Sequence, residues 1–599
     1  MSIRLRKNTL IFLVFLTALR KLQTMKAKEK IETLFKTAIE ELGYSTENLT
    51  IERPKILDHG DYASPFALSI AKQEKKNPRE IAEQIVEKLK ENGLPPFIQS
   101  FSVEGPGFIN ITLSPSFFLS TVREIQQKRE NYGKHDTLRG KKILIEHSSP
   151  NLFKPFHIGH MMNNTVGESI VRLVKNGNAK TTVLSYPSDV SLGIGKAVWK
   201  LLDYGIETLG NYETLEEKVA FLGTCYAEGT QAMKEHPSLE KEIREITQDI
   251  YEHRDTEAYR AYLKGKELNL QYFVKMTSLL GSQFDDYIFE SEAGKVGAEI
   301  VKEWVGKVLK ESDGAIIFEP NEDDIQQDPQ LHTRVFINKD GNPTYEAKDL
   351  GLLKLKFERY NPDSSIFVTD NEQGPYFRVV SHVAGKIQPE WKEKTVHLTH
   401  GRMTFKGEKM SSRLGNTPLV SEMLNVVKEL VYERAKEKDI LSEDDASTIA
   451  IAALKYVILR TQIGKSVNFD PETSLSFEGD SGPYLLYTYA RAKSVLRKAE
   501  EQGISYEIDE LPSEWETTKL EKILTHYQGH TISALESYSP HIIVNYAMEL
   551  AQTFNSWYGN TRILTEEEAT PYRLALVEAT SIVIKNALHL LGIKTLEKM

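Results

Sequence analysis

Residues 141–160 read KKILIEHSSPNLFKPFHIGH, and residues 161–177 continue MMNNTVGESIVRLVKNG. The apolar, branched run Ile143–Ile145 has the length of a buried strand, whereas Val166, Ile170, Leu173 and Val174 recur at helical spacing. His157 and His160 bracket Ile158-Gly159 where the strand gives way to the helix, and Lys154 stands three residues upstream. In an α/β sheet, a strand-to-helix turn is the usual place for a phosphate, because the first N–H groups of the helix have no internal partner. One bland alternative stands beside that expectation: one histidine caps the helix and the other is a satisfied core residue.

At 599 residues the chain exceeds a single core, and three or four domains are expected. Forty per cent of residues are hydrophobic and 27% charged, with no low-complexity tract or repeat, as in a globular enzyme. The formal charge of −10 supplies no global basic field for nucleic acid, although a local groove can be basic on an acidic protein. Cys225 is the single cysteine, which excludes a disulfide framework and any cysteine-based zinc site and makes the cytosol the natural compartment. TLIFLVFLTAL (9–19) follows Arg4, Arg6 and Lys7 but is too short to span a bilayer, and RKLQTMKAKEK behind it offers no small-residue cleavage site. An amphipathic helix pattern begins at Met25, so residues 1–24 are expected to be an upstream extension rather than a native leader, and no membrane partner is expected.

Residues 25–135 alternate helix patterns with short strands: 77–93 is a helix punctuated by Pro78 and Gly93, and 101–114 reads as two strands around Gly105-Pro106-Gly107. Strands separated by helices then run through 136–470, with further strands at 181–189, 364–370 and 395–401 and a hairpin-like turn at Lys339–Asn342. About 200–290 is helical and charged, as in an insertion. The pattern implies an α/β domain with a parallel sheet and a nucleotide-binding half on each side of the insertion. The last stretch, 471–599, carries long helical patterns and no strand, an all-α domain with 11 Lys and Arg against 15 Asp and Glu over 481–599.

A second cluster, GEKMSSRLGN (407–416), follows the strand TVHLTHG (395–401) and is rich in Gly, Ser and cations. Taken alone it is a solvated loop; after a strand and in order behind the histidine motif, the two resemble the paired signatures of the class I aminoacyl-tRNA synthetases. IEHSSPNLFKPFHIGH (145–160), TYEAKDLG (344–351) and FVTDNEQGPYF (367–377) resemble the arginyl-tRNA synthetase form of that class. The segments HGDYASPFALSIAK (59–72) and EGPGFINITLS (104–114) resemble its N-terminal tRNA-elbow domain. SGPYLLYTYARAKSVLRKA (481–499) and LLGIKTLEKM (590–599) resemble its anticodon-binding domain. The resemblance covers the whole chain from about residue 25 and implies a Rossmann-like α/β catalytic domain between an N-terminal α+β domain and a C-terminal all-α helical bundle.

The resemblance implies that ATP is bound by Pro155, His157, Gly159, His160, Lys409, Met410, Ser411 and Ser412, with His157, His160, Lys154 and Lys409 catalytic. It implies L-arginine at Glu146, Ser149, Asn151, Tyr345, Asp349 and Gln373, tRNA(Arg) as partner, Mg²⁺ arriving with ATP, and a monomer. The residue chemistry agrees. A guanidinium is planar, permanently charged and carries five donors, so it calls for carboxylates and neutral acceptors at set angles. Tyr345 and Asp349 are i, i+4, one face if helical, and Glu146 and Asn151 lie at the end of the first strand. Adenylate formation needs no general base, because the substrate carboxylate is already the nucleophile. Departures are local: both Lys154 and Lys409 are present where many members lack the second, PSDVSLG (187–193) keeps Asp189 but lacks a tryptophan, and Leu486 replaces a common glutamine. Cysteinyl-tRNA synthetase, the nearest rival in the class, needs a cysteine-rich zinc site that Cys225 alone cannot supply. A non-catalytic tRNA-binding paralogue would have no need of the charged motif residues, and a small-molecule nucleotidyltransferase no need of 478–599.

Overall fold

The computed structural model describes residues 27–54, 60–406, 418–435 and 442–599. Lys409, Met410, Ser411 and Ser412 therefore lie outside the described residues, as do residues 1–24. Packing groups the chain into two units: Met1–Lys128 with Ala499–Thr525 and Thr561–Ala579, and Arg129–Lys498 with His526–Asn560 and Thr580–Met599.

In the first unit, α1 (Ala27–Glu41) buries Ile31, Phe35, Ala38 and Ile39, the stripe that the helical spacing predicts. It packs with β1 (Tyr62–Ser64), α2 (Phe66–Glu74), α3 (Pro78–Glu91), β2 (Ile98–Glu104), β3 (Phe108–Leu113) and α4 (Pro115–Lys128). The three strands are antiparallel in the order β1-β3-β2, with the core of Phe35, Phe66, Ile85, Phe101 and Ile111 between sheet and helices. The Asn77 side chain accepts from the Arg79 N–H at 2.9 Å and Pro78 opens α3, as the punctuation predicts. The β2–β3 turn needs glycine at 107: its φ is +135°, and a Cβ there would lie 2.7 Å from the Pro78 carbonyl oxygen.

The second unit is built on a five-stranded parallel sheet. β4 (Lys142–Glu146) leads through α5 (Ile158–Asn176) to β5 (Lys180–Ser185). The insertion follows as α6 (Leu192–Tyr204), α7 (Leu215–Glu235), α8 (Glu240–Glu252) and α9 (Glu257–Leu279), and the chain returns through β6 (Asp286–Tyr287) and α10 (Glu290–Glu303). β7 (Lys310–Ser312), β8 (Ala315–Phe318) and β9 (Arg334–Ile337) form a separate antiparallel sheet that the sequence pattern does not single out. The expected turn follows β9, its backbone held by the Asn338 side chain, which accepts from the Asp340 and Asn342 N–H groups at 3.0 Å each. Then come α11 (Tyr345–Tyr360), β10 (Ser364–Asp370), α12 (Gly374–Ile387) and β11 (Thr395–His400), the last two strands rejoining the sheet. The strand order is β11-β10-β4-β5-β6, so the chain leaves β4 toward β5 on one side and later fills the other side with β10. The reversal between β4 and β10 opens a crevice beyond their carboxyl ends, where ligands of such sheets bind.

After β11 the second unit continues through β12 (Met403–Phe405), α13 (Val420–Ala435), α14 (Glu443–Arg460) and β13 (Val467–Phe469), β12 and β13 pairing in parallel. Beyond residue 470 the described residues carry helices and no strand: α15 (Gly482–Glu501), α16 (Tyr527–Glu536), α17 (His541–Asn560) and α18 (Thr570–Leu590) are the longest. Leu486 is fully buried, so the missing glutamine is replaced by a core side chain rather than by a surface contact. No described helix is long and apolar enough to cross a membrane.

Candidate active site

A cavity of about 1000 Å³ opens at the carboxyl end of the sheet. It is lined by nine of the fifteen residues that the sequence singles out: Glu146, Ser149, Asn151, His157, Gly159, His160, Tyr345, Asp349 and Gln373. Lys154 and Pro155 are not among the lining residues. The Lys154 ammonium lies 4.9 Å over the Tyr226 ring, and Pro155 packs against Gly223. The remaining four belong to the loop outside the described residues.

The turn after β4 is tightly determined. Ser148 (φ 57°) and Phe153 (φ 62°) take left-handed backbone, an uncommon state for side-chain-bearing residues. Asn163, on α5, secures the turn: its Oδ1 accepts from the Ser148 N–H at 2.6 Å, and its Nδ2 donates to the Val368 carbonyl at 2.7 Å. The end of β4 and the end of β10 are thereby tied together across the crevice.

The two histidines do what the bland alternative asks and keep a free face besides. His157 is the N-cap of α5: its Nδ1 accepts from the Gly159 N–H at 3.1 Å, while His160 Nδ1 accepts from the His157 N–H at 3.2 Å. The rings stack with centroids 3.9 Å apart. A Cβ at residue 159 would sit 3.0 Å from His157 Cε1, so glycine lets the first ring fold over the helix start. An imidazole whose Nδ1 accepts carries its proton on Nε2. Burial, with the Lys154 charge beside it, lowers the pKa of His157, and burial together with His157 and Lys154 lowers that of His160 further. Both rings are therefore neutral Nε2–H donors at neutral pH, set at the positive end of a helix.

Acidic groups converge on the other side. Asp349 and Tyr345 lie one turn apart on α11, as their spacing predicts, with Tyr345 half-exposed. Asp349 is partly buried and accepts from the Tyr376 hydroxyl. Burial, opposed by that hydrogen bond and assisted by the charges of Glu146 and Glu290, pushes its pKa up to about 8. Glu146, the last residue of β4, faces the buried Lys356 ammonium as an ion pair without the geometry of a directed hydrogen bond. Glu290, which opens α10, is held by Lys348 at 2.8 Å. Gln373 falls not on the strand but in a single 3₁₀ turn between β10 and α12.

Lys356, Glu290, Lys348, Tyr186 and Tyr376 complete the arrangement, and the sequence reading misses them. Lys356 was discoverable, since positions 345, 349 and 356 share one face of a helix. Glu290 had no local signal. It is brought in by Asp189, which is fully buried and accepts from Ser291 N–H (2.9 Å), Ser291 Oγ (2.8 Å), Lys266 (2.7 Å) and Tyr262 (3.2 Å). Asp189 is thus a clasp between α9 and the start of α10, with its oxygens occupied.

A doubly wound sheet with a histidine pair at the first strand-to-helix turn and an acidic cavity at the switch point is the arrangement of a class I aminoacyl-tRNA synthetase. Residues 121–470 match the family described as tRNA synthetases class I (R), catalytic domain. Residues 29–113 match the arginyl tRNA synthetase N terminal domain, and 485–599 the DALR anticodon binding domain. The chain belongs to the arginyl-tRNA synthetase family. It is 31% identical over 562 residues to an arginine–tRNA ligase of Clostridium perfringens, covering 92% of this chain and 96% of that one. It is likewise 31% identical over 580 residues to one of Limosilactobacillus reuteri, covering 96% and 100%. The fold resembles that of Thermus thermophilus arginyl-tRNA synthetase, with a TM-score of 0.73 at 24% identity over 96% of this chain and all of that one.

Proposed function

We propose that the chain joins L-arginine to tRNA(Arg) in two steps, both in the cavity beyond β4 and β10. An oxygen of the arginine carboxylate attacks the α-phosphorus of ATP, the bond to the bridging oxygen breaks, and pyrophosphate leaves arginyl-adenylate. A ribose hydroxyl of the terminal adenosine of tRNA then attacks the arginyl carbonyl and AMP departs. The observation that carries this reading is the presence, in one cavity, of neutral Nε2–H donors at a helix start and of three carboxylates opposite them.

The carboxylates suit the guanidinium. Glu290 offers oxygens in a buried setting and Asp349 in a partly buried one, and Tyr345, Ser149, Asn151 and Gln373 add neutral acceptors and donors around the rest of the amino acid. Lysine lacks the planar fork and would leave buried acceptors unpaired at about 1–3 kcal/mol each, so selection needs no separate editing site. His157 and His160 donate to phosphate oxygens as charge develops on them. Lys154, Pro155 and Gly159 belong to the same ATP-binding turn, and Lys409, Met410, Ser411 and Ser412 to the second phosphate contact that the resemblance assigns. Mg²⁺ enters with ATP as part of the substrate. Among the described residues no cluster of three His, Cys, Asp or Glu side chains could hold a metal ion of the protein's own. The order of a tRNA-elbow domain (25–135), a catalytic domain (136–470) and an anticodon-binding domain (471–599) is part of the same reading and is supported by the three family matches in that order; a cytosolic monomer belongs to the reading as well.

The test is to charge total tRNA with each of the twenty labelled amino acids. Arginine alone should yield product, and Asp349→Ala should abolish it. Charging with another amino acid, or undiminished charging by Asp349→Ala, would remove the reading.

A further inference from the structure

Among the described residues, the cavity has a hydroxyl with no hydrogen-bond partner, that of Tyr186. Tyr186 follows β5, its ring packed with Leu144, Leu184, Ile288, Leu352 and Leu355 and its N–H donating to Ser149 Oγ at 3.3 Å. The residue is 8% exposed and lines the cavity, yet its hydroxyl oxygen is buried with no hydrogen-bond partner among the described residues. The acids around it are already engaged: Glu146 by Lys356, Glu290 by Lys348 and Asp349 by Tyr376. Burial first, and then the charges of Glu290, Asp349, Glu146 and Asp189, hold the phenol well above its usual range, so the hydroxyl keeps its proton.

Buried hydroxyls are nearly always satisfied, because an unpaired one forfeits its hydrogen bonds to water and gains nothing in return. An unsatisfied one lining a cavity implies that the occupant completes it. The surrounding acids exclude an anion at that point, so the occupant's group there is a cation with more donors than the carboxylates alone can take up. A guanidinium meets that description, with five N–H groups spread in a plane. We propose that Tyr186 Oη is a specificity group for arginine: it accepts one guanidinium N–H from the occupant of the cavity. This rests on the cavity being the arginine site. The compact ammonium of lysine, with three donors, is served by the carboxylates and makes no such demand on a phenol oxygen.

Tyr186→Phe keeps the ring and its apolar packing and removes only the oxygen. In aminoacylation with saturating tRNA(Arg), the KM for arginine should rise by about tenfold, as expected for one unpaired donor in a buried site, while the KM for ATP stays within about twofold. Wild type, Asp349→Asn and Tyr186→Phe are measured side by side, with thermal melting as the check on folding. An unchanged arginine KM in Tyr186→Phe, or a parallel rise in the ATP KM that signals general distortion, overturns the assignment of Tyr186. Failure of the wild type to charge arginine overturns instead the reading of the cavity. If wild type charges arginine, Asp349→Asn does not and Tyr186→Phe is normal, only the inference about Tyr186 falls.

Discussion

Lowering the pH from 8 to 6 should weaken arginine binding long before the substrate or the histidines change charge, and the cause is Asp349. In the empty cavity its pKa stands at about 8, chiefly because burial disfavours the carboxylate, with Glu146 and Glu290 adding like-charge repulsion. A guanidinium arriving beside it favours the ionised form, so below pH 8 binding must expel a proton. With a pKa of about 8, roughly one empty site in ten is ionised at pH 7 and one in a hundred at pH 6, so the apparent Kd rises about tenfold per unit below 8. Titration calorimetry at pH 7 in two buffers of different ionisation enthalpy should report about 0.9 proton released per arginine bound. The sign for folding is the opposite of that for an ordinary salt-bridged aspartate. A carboxyl raised in the folded state stabilises the empty protein fully below its unfolded pKa, near 3.8, and loses that contribution as pH rises through about 8. Arginine should therefore protect against thermal unfolding more strongly at pH 8 than at pH 6. A Kd independent of pH between 6 and 8, with no buffer-dependent heat, would show that Asp349 is ionised before arginine arrives and would refute the reasoning.

His160→Ala removes one Nε2–H donor and should lower kcat about 10²–10³-fold with arginine affinity unmoved, measured by aminoacylation and calorimetry; an equal loss of arginine binding would place the histidine elsewhere. Lys356→Met leaves the Glu146 carboxylate buried and unpaired and should cost about 3–5 kcal/mol in denaturant unfolding; an unchanged midpoint would mean that the pair contributes nothing. α10 and α11 touch backbone to backbone, since a Cβ on Gly351 would lie 1.9 Å from the Ala293 carbonyl oxygen and one on Gly297 only 1.8 Å from that of Ala347. Gly351→Ala should cost about 1–3 kcal/mol and raise the arginine KM by moving Asp349 away from Glu290; normal kinetics would show that this crossing does not position the acids.

The local half of the molecule was legible from residue order. The β4–α5 junction, the caps of α3, the β2–β3 hairpin and the pairing of Tyr345 with Asp349 all follow from periodicity and turn chemistry, because those forces act between residues a few positions apart. The histidine pair was legible as a motif but not as a device. Its neutral Nε2–H state depends on each Nδ1 accepting a backbone N–H and on burial, and both arise only once α5 is packed.

Long-range contacts alone decided the rest. Glu290 stands 144 positions after Glu146 and belongs to the cavity because Asp189 clasps the start of α10 and two glycines let α10 lie directly on α11. Lys356 neutralises Glu146 across the β4–β10 switch, and Tyr376 reaches Asp349 from a third helix. Residue order by itself determined which chemical groups are available and which strand-to-helix turn carries the histidine pair. Which acid holds a proton, which are already paired and which hydroxyl is left waiting depend on desolvation and charge across gaps of a few ångströms, and no spacing along the chain encodes those distances.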